Sequence, residues 1–403
     1  MAKVRLLPRK EESILRFHPW VFSGAIASTE GKLYDGALVL LESHRGDALG
    51  VGHYAIGSIA VRMLSFIGNE EIDTPFWQSR LAAALELRLR CGLFTSEDNP
   101  RRNNVYRLVH GEGDQLPGLV IDIYGATAVI QAHSLGMHES RETIGKALMA
   151  IYADYLPDTL HAVYYKSSGT LPNRESREIC EDGFLIGHTE AQPVWEYGIQ
   201  FLPDWLRGQK TGFFIDQRDN RALVEQYAQG RTLLNAFCYT GGFSLYALRG
   251  GAKRVDSLDS STKAMYLTQE HIRLNFGDAA PHRCITQDAF EYLDQMPEGE
   301  YDMIILDPPA FAKHRKVLRN ALIGYRRINA HAFKKIAPGG ILFTFSCSQA
   351  VSKDEFRLAV FTAAATSGRH VRILHQLTQP IDHPVSIYHP EGEYLKGLVL
   401  QVE

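Results

Sequence analysis

The chain has 403 residues, of which 45% are hydrophobic and 22% charged, enough to bury real cores and too many for one ordinary domain. No run approaches the roughly 18 apolar residues of a membrane span, and "MAKVRLLPRK" lacks the apolar core of a signal peptide, so a cytoplasmic protein without membrane partners is expected. A net charge of −3 excludes a globally basic nucleic-acid binder, so any basic surface must be local.

Residues 1–73 show short strand-like runs, "ALVLLES", "ALGVGHYA" and "IAVRMLSF", separated by glycine-bearing turns, as in a small β-barrel or sandwich. Residues 74–99 read as a connecting helix and linker, with Thr74 as N-cap and Pro75 at the first helical position. Residues 100–204 form an α+β unit in which "LPGLVIDIYG", "TAVIQAH" and "HAVYYK" are strands around one amphipathic helix, "MHESRETIGKALMAIYADYL".

From 205 to 403 strands and helices alternate, the pattern of a parallel sheet covered by helices. Seven strands are expected: "TLLNAF", "KRVDSLD", "HRCITQ", "YDMIILD", "GGILFTFSC", "HVRILHQL" and "LKGLVLQV". Only a loop joins the last two, too short for a right-handed crossover, so they should form an antiparallel edge hairpin. That Rossmann-like arrangement is the α/β class I fold of S-adenosylmethionine-dependent methyltransferases.

Ligand features recur at successive strand ends. "LLNAFCYTGGFSLYAL" is strand, tight turn and helix with Gly241 and Gly242, but without the full pyrophosphate fingerprint. Asp259 closes the next strand, where a carboxylate can accept ribose hydroxyls, and Asp288 closes the third, within reach of an adenine. Singly, such residues are more often turn or cap devices than ligands. In "ILDPPAF", two prolines fix the turn that presents Asp307 to the polar edge of a base, and Phe311 can stack on its face. The segment 313–335 follows with Lys313, Arg315, Lys316, Arg319, Arg326, Arg327, Lys334 and Lys335 and no acid, a candidate phosphate track or a solvated helix face.

Five cysteines without CxxC spacing argue for free thiols rather than disulfides or a metal site. Cys347, in "FSCS", stands at the end of the strand expected beside the Asp307 strand; Cys238, in the glycine turn, is its rival.

These motifs together resemble the RlmI-like branch of RNA cytosine-5 methyltransferases acting on large-subunit (23S) ribosomal RNA, over nearly the whole chain. "HPWVFSGAI" and "GVGHYAIGSIAVRMLSF" resemble its RNA-binding PUA domain and "GLVIDIYG" its central domain. "GQKTGFFIDQRDNR", "LNAFCYTGGFSLYA", "LDPPAFAK", "FSCS" and "DHPVSIYHPEGEYLKG" resemble its catalytic domain. The resemblance implies S-adenosylmethionine as cofactor, held by Gln209, Asp216, Arg218, Asn235, Phe237, Gly241, Asp259, Asp288 and Asp307. Lys210, Phe311, Lys313, Arg315, Lys316 and Arg319 would meet RNA, Gln209 and Lys210 lying near the methionine moiety or the base. A homodimer is a further candidate assembly; no metal is implied.

Cytosine carbon 5 is a poor nucleophile until a thiolate adds to carbon 6, so this chemistry requires a cysteine, and Cys347 with Asp307 takes the catalytic role. Related uracil-5 methyltransferases use a C-terminal glutamate as base, and alignment puts Lys396 there, with Glu393, His383 and His389 as neighbours. Asp307 could alternatively hold cytosine protonated. Two other readings are an rRNA guanine-nitrogen methyltransferase, which needs no thiol, and a non-catalytic RNA-binding assembly factor.

Overall fold

The computed structural model describes residues 1–172, 181–312 and 314–403; Cys180 and Lys313 lie outside them. The chain divides into two compact units, Met1–Gly198 with Pro203–Ile215 and Ile381–Gly392, and Ile199–Leu202 with Asp216–Pro380 and Glu393–Glu403.

In the first unit the N-terminal strands form a six-stranded sheet in the order Trp20–Phe22, Ile59–Ser65, Ala48–Tyr54, Leu38–Glu42, Ala2–Leu6, Ile26–Glu30. Alternating apolar residues turn inward, placing Val4, Leu6, Val39, Leu41, Val61 and Met63 in one core. The following helix, Thr74–Arg90, is capped one residue earlier than expected, because Asp73 Oδ1 accepts from the Phe76 amide at 3.0 Å. Thr74 thus becomes the first helical residue and Pro75 the second.

The central sheet runs Gly183–Ile186, Ala162–Tyr165, Thr127–Ala132, Leu119–Tyr124, Val105–His110, adding an edge strand on each side of the expected three. Its single expected helix is two, Leu135–Glu139 and Arg141–Tyr155. Ser140 separates them, donating its hydroxyl back to the Gly136 carbonyl at 2.9 Å and competing with helix continuation.

The second unit carries a seven-stranded sheet in the order His282–Thr286, Arg254–Asp259, Thr232–Ala236, Met303–Leu306, Gly340–Ser346, Lys396–Val402, Val371–Leu377. The first five are parallel, and the C-terminal strand, inserted between its two predecessors, is antiparallel to both neighbours. Period-two alternation divides the sheet's apolar residues between two layers. Leu234, Leu306, Leu342 and Leu400 enter one core, and Leu233, Ile305, Phe343 and Val399 the other. Strand order reverses direction between Thr232–Ala236 and Met303–Leu306, which makes the carboxyl ends of these strands the switch point, the general place for a ligand in such sheets. No helix among the described residues is long and apolar enough to cross a membrane.

Candidate active site

At the end of Thr232–Ala236 the backbone makes a strained turn. Phe237, Tyr239 and Gly241 all have positive φ, at 59°, 48° and 77°. Non-glycine residues in this region are uncommon, and their clustering marks a backbone shaped for close approach. Gly241 is required twice over: besides its φ, a Cβ there would stand 2.6 Å from Thr268 Cγ2. The Asp259 carboxylate holds the turn from the next strand, accepting from the Tyr239 amide at 3.0 Å and, through its other oxygen, from the Ser261 amide at 3.0 Å. It is only half-buried, which leaves lone pairs of both oxygens for hydroxyl donors. A bare backbone cradle beside a strand-end carboxylate fits the nucleoside part of S-adenosylmethionine.

The other expected cofactor residues take more local tasks. Asp288 is exposed and caps Ala289–Gln295, accepting from the Phe290 and Glu291 amides at 2.9 and 3.1 Å. Asn235 turns into the fold, fully buried, and donates to Ser244 Oγ at 2.9 Å, which pairs with Ser257 Oγ at 2.6 Å. Its side chain therefore braces strand against helix. Phe237 packs toward the Phe290 ring, with centroids 6.3 Å apart.

The "GQKTGFF" loop belongs to the first unit, with Gln209 and Lys210 exposed, and Asp216 and Arg218 belong to the second, both buried. Thr211 anchors the loop by donating to Asp122 Oδ2 at 2.6 Å, and Lys166 Nζ donates to the Trp205 and Gly208 carbonyls at 2.7 and 2.8 Å. Lys210 holds its ammonium 5.0 Å from the Phe214 ring centre. In the second unit, Tyr394 donates to Asp216 Oδ2 at 2.7 Å.

The DPPAF and SCS motifs meet. Leu306 pairs with Thr344 in parallel register, and beyond these strand ends Cys347 Sγ lies 3.9 Å from the Pro308 carbonyl oxygen. The serines explain the motif's pattern. Ser346 Oγ donates to the buried Tyr325 hydroxyl at 2.9 Å, and that hydroxyl pairs with Ser348 Oγ at 3.0 Å. Ser348 Oγ also accepts from the Ala312 amide at 3.3 Å, tying the SCS turn to the segment after DPP. Both serines and Tyr325 are fully buried, whereas Cys347, between the serines, is half-buried and packs with the opposite core layer. Sequence reading missed Tyr325, whose only local signal was its place in a basic helix.

Phe311 lies with its ring 4.7 Å from that of Tyr325 and 6.0 Å from Phe290, half-buried against the core. Its ring is therefore already packed against these two aromatics on the core side. Cys238 is buried, and burial first, then the negative charge of Asp259, pushes its thiol well above the ordinary range. Such a thiol stays protonated and inert.

Of the candidate bases, His383 and His389 have their described partners within the first unit. His383 Nδ1 meets Asp382 Oδ1 at 3.0 Å, and the His389 ring stands 4.3 Å from that of Trp20. Glu393 is paired with Lys353 at 2.6 Å. Lys396, directly across from Ser346 in the antiparallel ladder, donates to the Ser348 carbonyl at 2.7 Å and to the Tyr394 carbonyl at 2.9 Å. Burial presses its ammonium down to about 8, partly opposed by the adjacent Cys347. Arg315, Lys316 and Arg319 are exposed around the start of the helix Leu318–Lys335. No cluster of three or more metal-ligating side chains occurs among the described residues.

Comparison with known proteins shows the family. A family model described as S-adenosylmethionine-dependent methyltransferase matches residues 175–388, and one described as a PUA-like domain matches residues 4–66. Ribosomal RNA large subunit methyltransferase I of Pseudoalteromonas atlantica is 39% identical over 406 residues, covering 100% of this chain and 99% of that protein. Its namesake in Alteromonas mediterranea is 40% identical over 405 residues, with coverages of 100% and 99%. A solved methyltransferase structure from Streptococcus mutans shares the fold, with a TM-score of 0.82 at 21% identity over 100% of both chains. Another, complexed with SAH, gives the same TM-score, identity and coverage, 0.82, 21% and 100% of both chains. With a methyltransferase family model matched over residues 175–388 and relatives aligned from end to end, the chain belongs to the ribosomal RNA large subunit methyltransferase I family of S-adenosylmethionine-dependent methyltransferases.

Proposed function

We propose that this methyltransferase modifies carbon 5 of a cytosine in large-subunit (23S) ribosomal RNA through a covalent adduct with Cys347. The observation that carries the reading is the meeting of DPP and SCS, with the Cys347 sulfur 3.9 Å from the Pro308 carbonyl. A guanine-nitrogen methyltransferase has no use for a thiol held there. The names of the full-length relatives support ribosomal RNA as substrate, and the PUA-like domain supplies a surface for it.

Asp307, at the end of its strand, accepts from the polar edge of the flipped base and orients the ring. The Cys347 thiolate adds to carbon 6, moving the double-bond electrons toward carbon 5, which becomes nucleophilic. Bound S-adenosylmethionine supplies the methyl group as an electrophile. Transfer of the carbon 5 proton to a base or to water restores the double bond and expels the thiolate. Ser346, Ser348 and Tyr325 keep the sulfur in place throughout, so little reorganisation accompanies attack.

The direct test incubates the protein and S-adenosylmethionine with large-subunit RNA from cells lacking the gene, followed by mass-spectrometric mapping. A single new 5-methylcytosine is expected; a methylated guanine and no 5-methylcytosine would refute the assignment. RNA affinity gives a second expectation. Neutralising the exposed Arg315, Lys316 and Arg319 should flatten the salt dependence of RNA binding by up to about 0.7 per lost phosphate contact, while cofactor affinity stays constant. An unaltered slope would make them a solvated face.

A further inference from the structure

The C-terminal strand begins at Lys396, where related uracil-5 enzymes carry a carboxylate, and its amine reaches the SCS turn. Lys396 is 6% exposed, and its described hydrogen bonds run to two carbonyls, those of Ser348 and Tyr394. Ser348 immediately follows Cys347, so the amine is held against the backbone that carries the thiol. An sp³ amine has three positions besides its carbon. Two are N–H bonds fixed on the carbonyls, and the third carries either a lone pair or another N–H.

We propose that Lys396 activates Cys347 electrostatically: its ammonium, held on the carbonyl of the next residue, favours the thiolate over the thiol beside the DPP turn. The S–H bond breaks with the electron pair left on sulfur and the proton passing to water, while the ammonium keeps its own protons. This inference rests on the reading of Cys347 as nucleophile and names the group that makes it reactive.

The surroundings support the pairing. Burial lowers the Lys396 ammonium to about 8, and the largest influence opposing burial is Cys347 itself. Linkage makes that interaction reciprocal: if the thiolate favours the ammonium, the ammonium favours the thiolate by the same free energy. The other charged groups acting on Lys396 are Glu355 and Lys353, from the helix after the SCS turn, and Glu393, just before its own strand. Glu393 is neutralised locally by Lys353 at 2.6 Å, and Glu355 is engaged with its own helix cap, accepting from the Ser352 amide at 2.7 Å. Tyr325, behind the turn, has its phenol pushed up by burial first and stays neutral.

The test reads the thiol directly. The full-length protein, without RNA, is alkylated with iodoacetamide across pH 5.5–10, and modification of the Cys347 peptide is followed by mass spectrometry. Wild type should show a midpoint below the ordinary thiol value of about 8.5. In Lys396→Met the midpoint should rise by about one pH unit, cutting alkylation at pH 7 roughly tenfold. Lys396→Gln, which keeps two N–H donors for the carbonyls but no charge, should behave like Lys396→Met and stands in for it if that variant fails to bind S-adenosylmethionine. A wild-type midpoint at or above about 8.5, or one unmoved in the folded variant, overturns the proposal. Because this assay contains neither cytosine nor methyl transfer, failure of the cytosine assignment would leave its result readable.

Discussion

Cys347→Ala should abolish methylation, lowering turnover by roughly a thousandfold or more, while leaving S-adenosylmethionine and RNA binding near wild type. The expectation follows from geometry. The side chain is half-buried and takes no part in the serine–tyrosine network that holds the turn, so its removal costs chemistry rather than architecture. A stronger form uses RNA with 5-fluorocytosine at the target. Fluorine cannot leave as a cation, so the adduct cannot resolve, and wild type should be trapped as a heat-stable, cofactor-dependent complex visible on a denaturing gel. Cys347→Ala should give no such band. Cys238→Ala should still give it, because Cys238 is buried among groups that keep its thiol protonated. Near-normal methylation by Cys347→Ala, or loss of the band in Cys238→Ala alone, would move the nucleophile elsewhere.

Asp259→Ala should weaken S-adenosylmethionine binding by about 2–4 kcal/mol, between roughly thirty-fold and a thousand-fold in Kd by calorimetry. Part of this is the lost acceptor for ribose hydroxyls. The remainder is local, since the carboxylate also accepts from the Tyr239 amide, in the middle of the strained glycine turn, and from the Ser261 amide. Asp259→Asn separates the contributions: it keeps one oxygen acceptor but removes the charge, so its affinity should fall between the two. Wild-type affinity in Asp259→Ala would show that the cradle binds without this strand end.

Local sequence determined the elements of the catalytic sheet, because its information is short-range. Runs such as "YDMIILD" and "GGILFTFSC" are apolar enough to read as central strands, and only a loop without an α-helix joins the last two strands, in keeping with the antiparallel edge. The same reasoning located Gly241, Asp259, Asp307 and Cys347 at strand ends. Boundaries set by competing hydrogen bonds were less legible: Asp73 outcompeted Thr74 as the cap, and Ser140 split one expected helix.

Tertiary structure alone decided which of these residues share a task. Period two says that Cys347 faces away from Ser346 and Ser348, but only the packed Leu318–Lys335 helix shows that the serines are held by Tyr325. Both cysteines stand beside recognisable motifs, and burial separates them, since desolvation disfavours a thiolate at Cys238. Lys396 is far from Ser348 in sequence, and no local pattern announces the contact of its amine with that carbonyl. It arises because the final strand inserts beside Gly340–Ser346, and antiparallel register, a property of two distant segments together, sets Lys396 opposite Ser346.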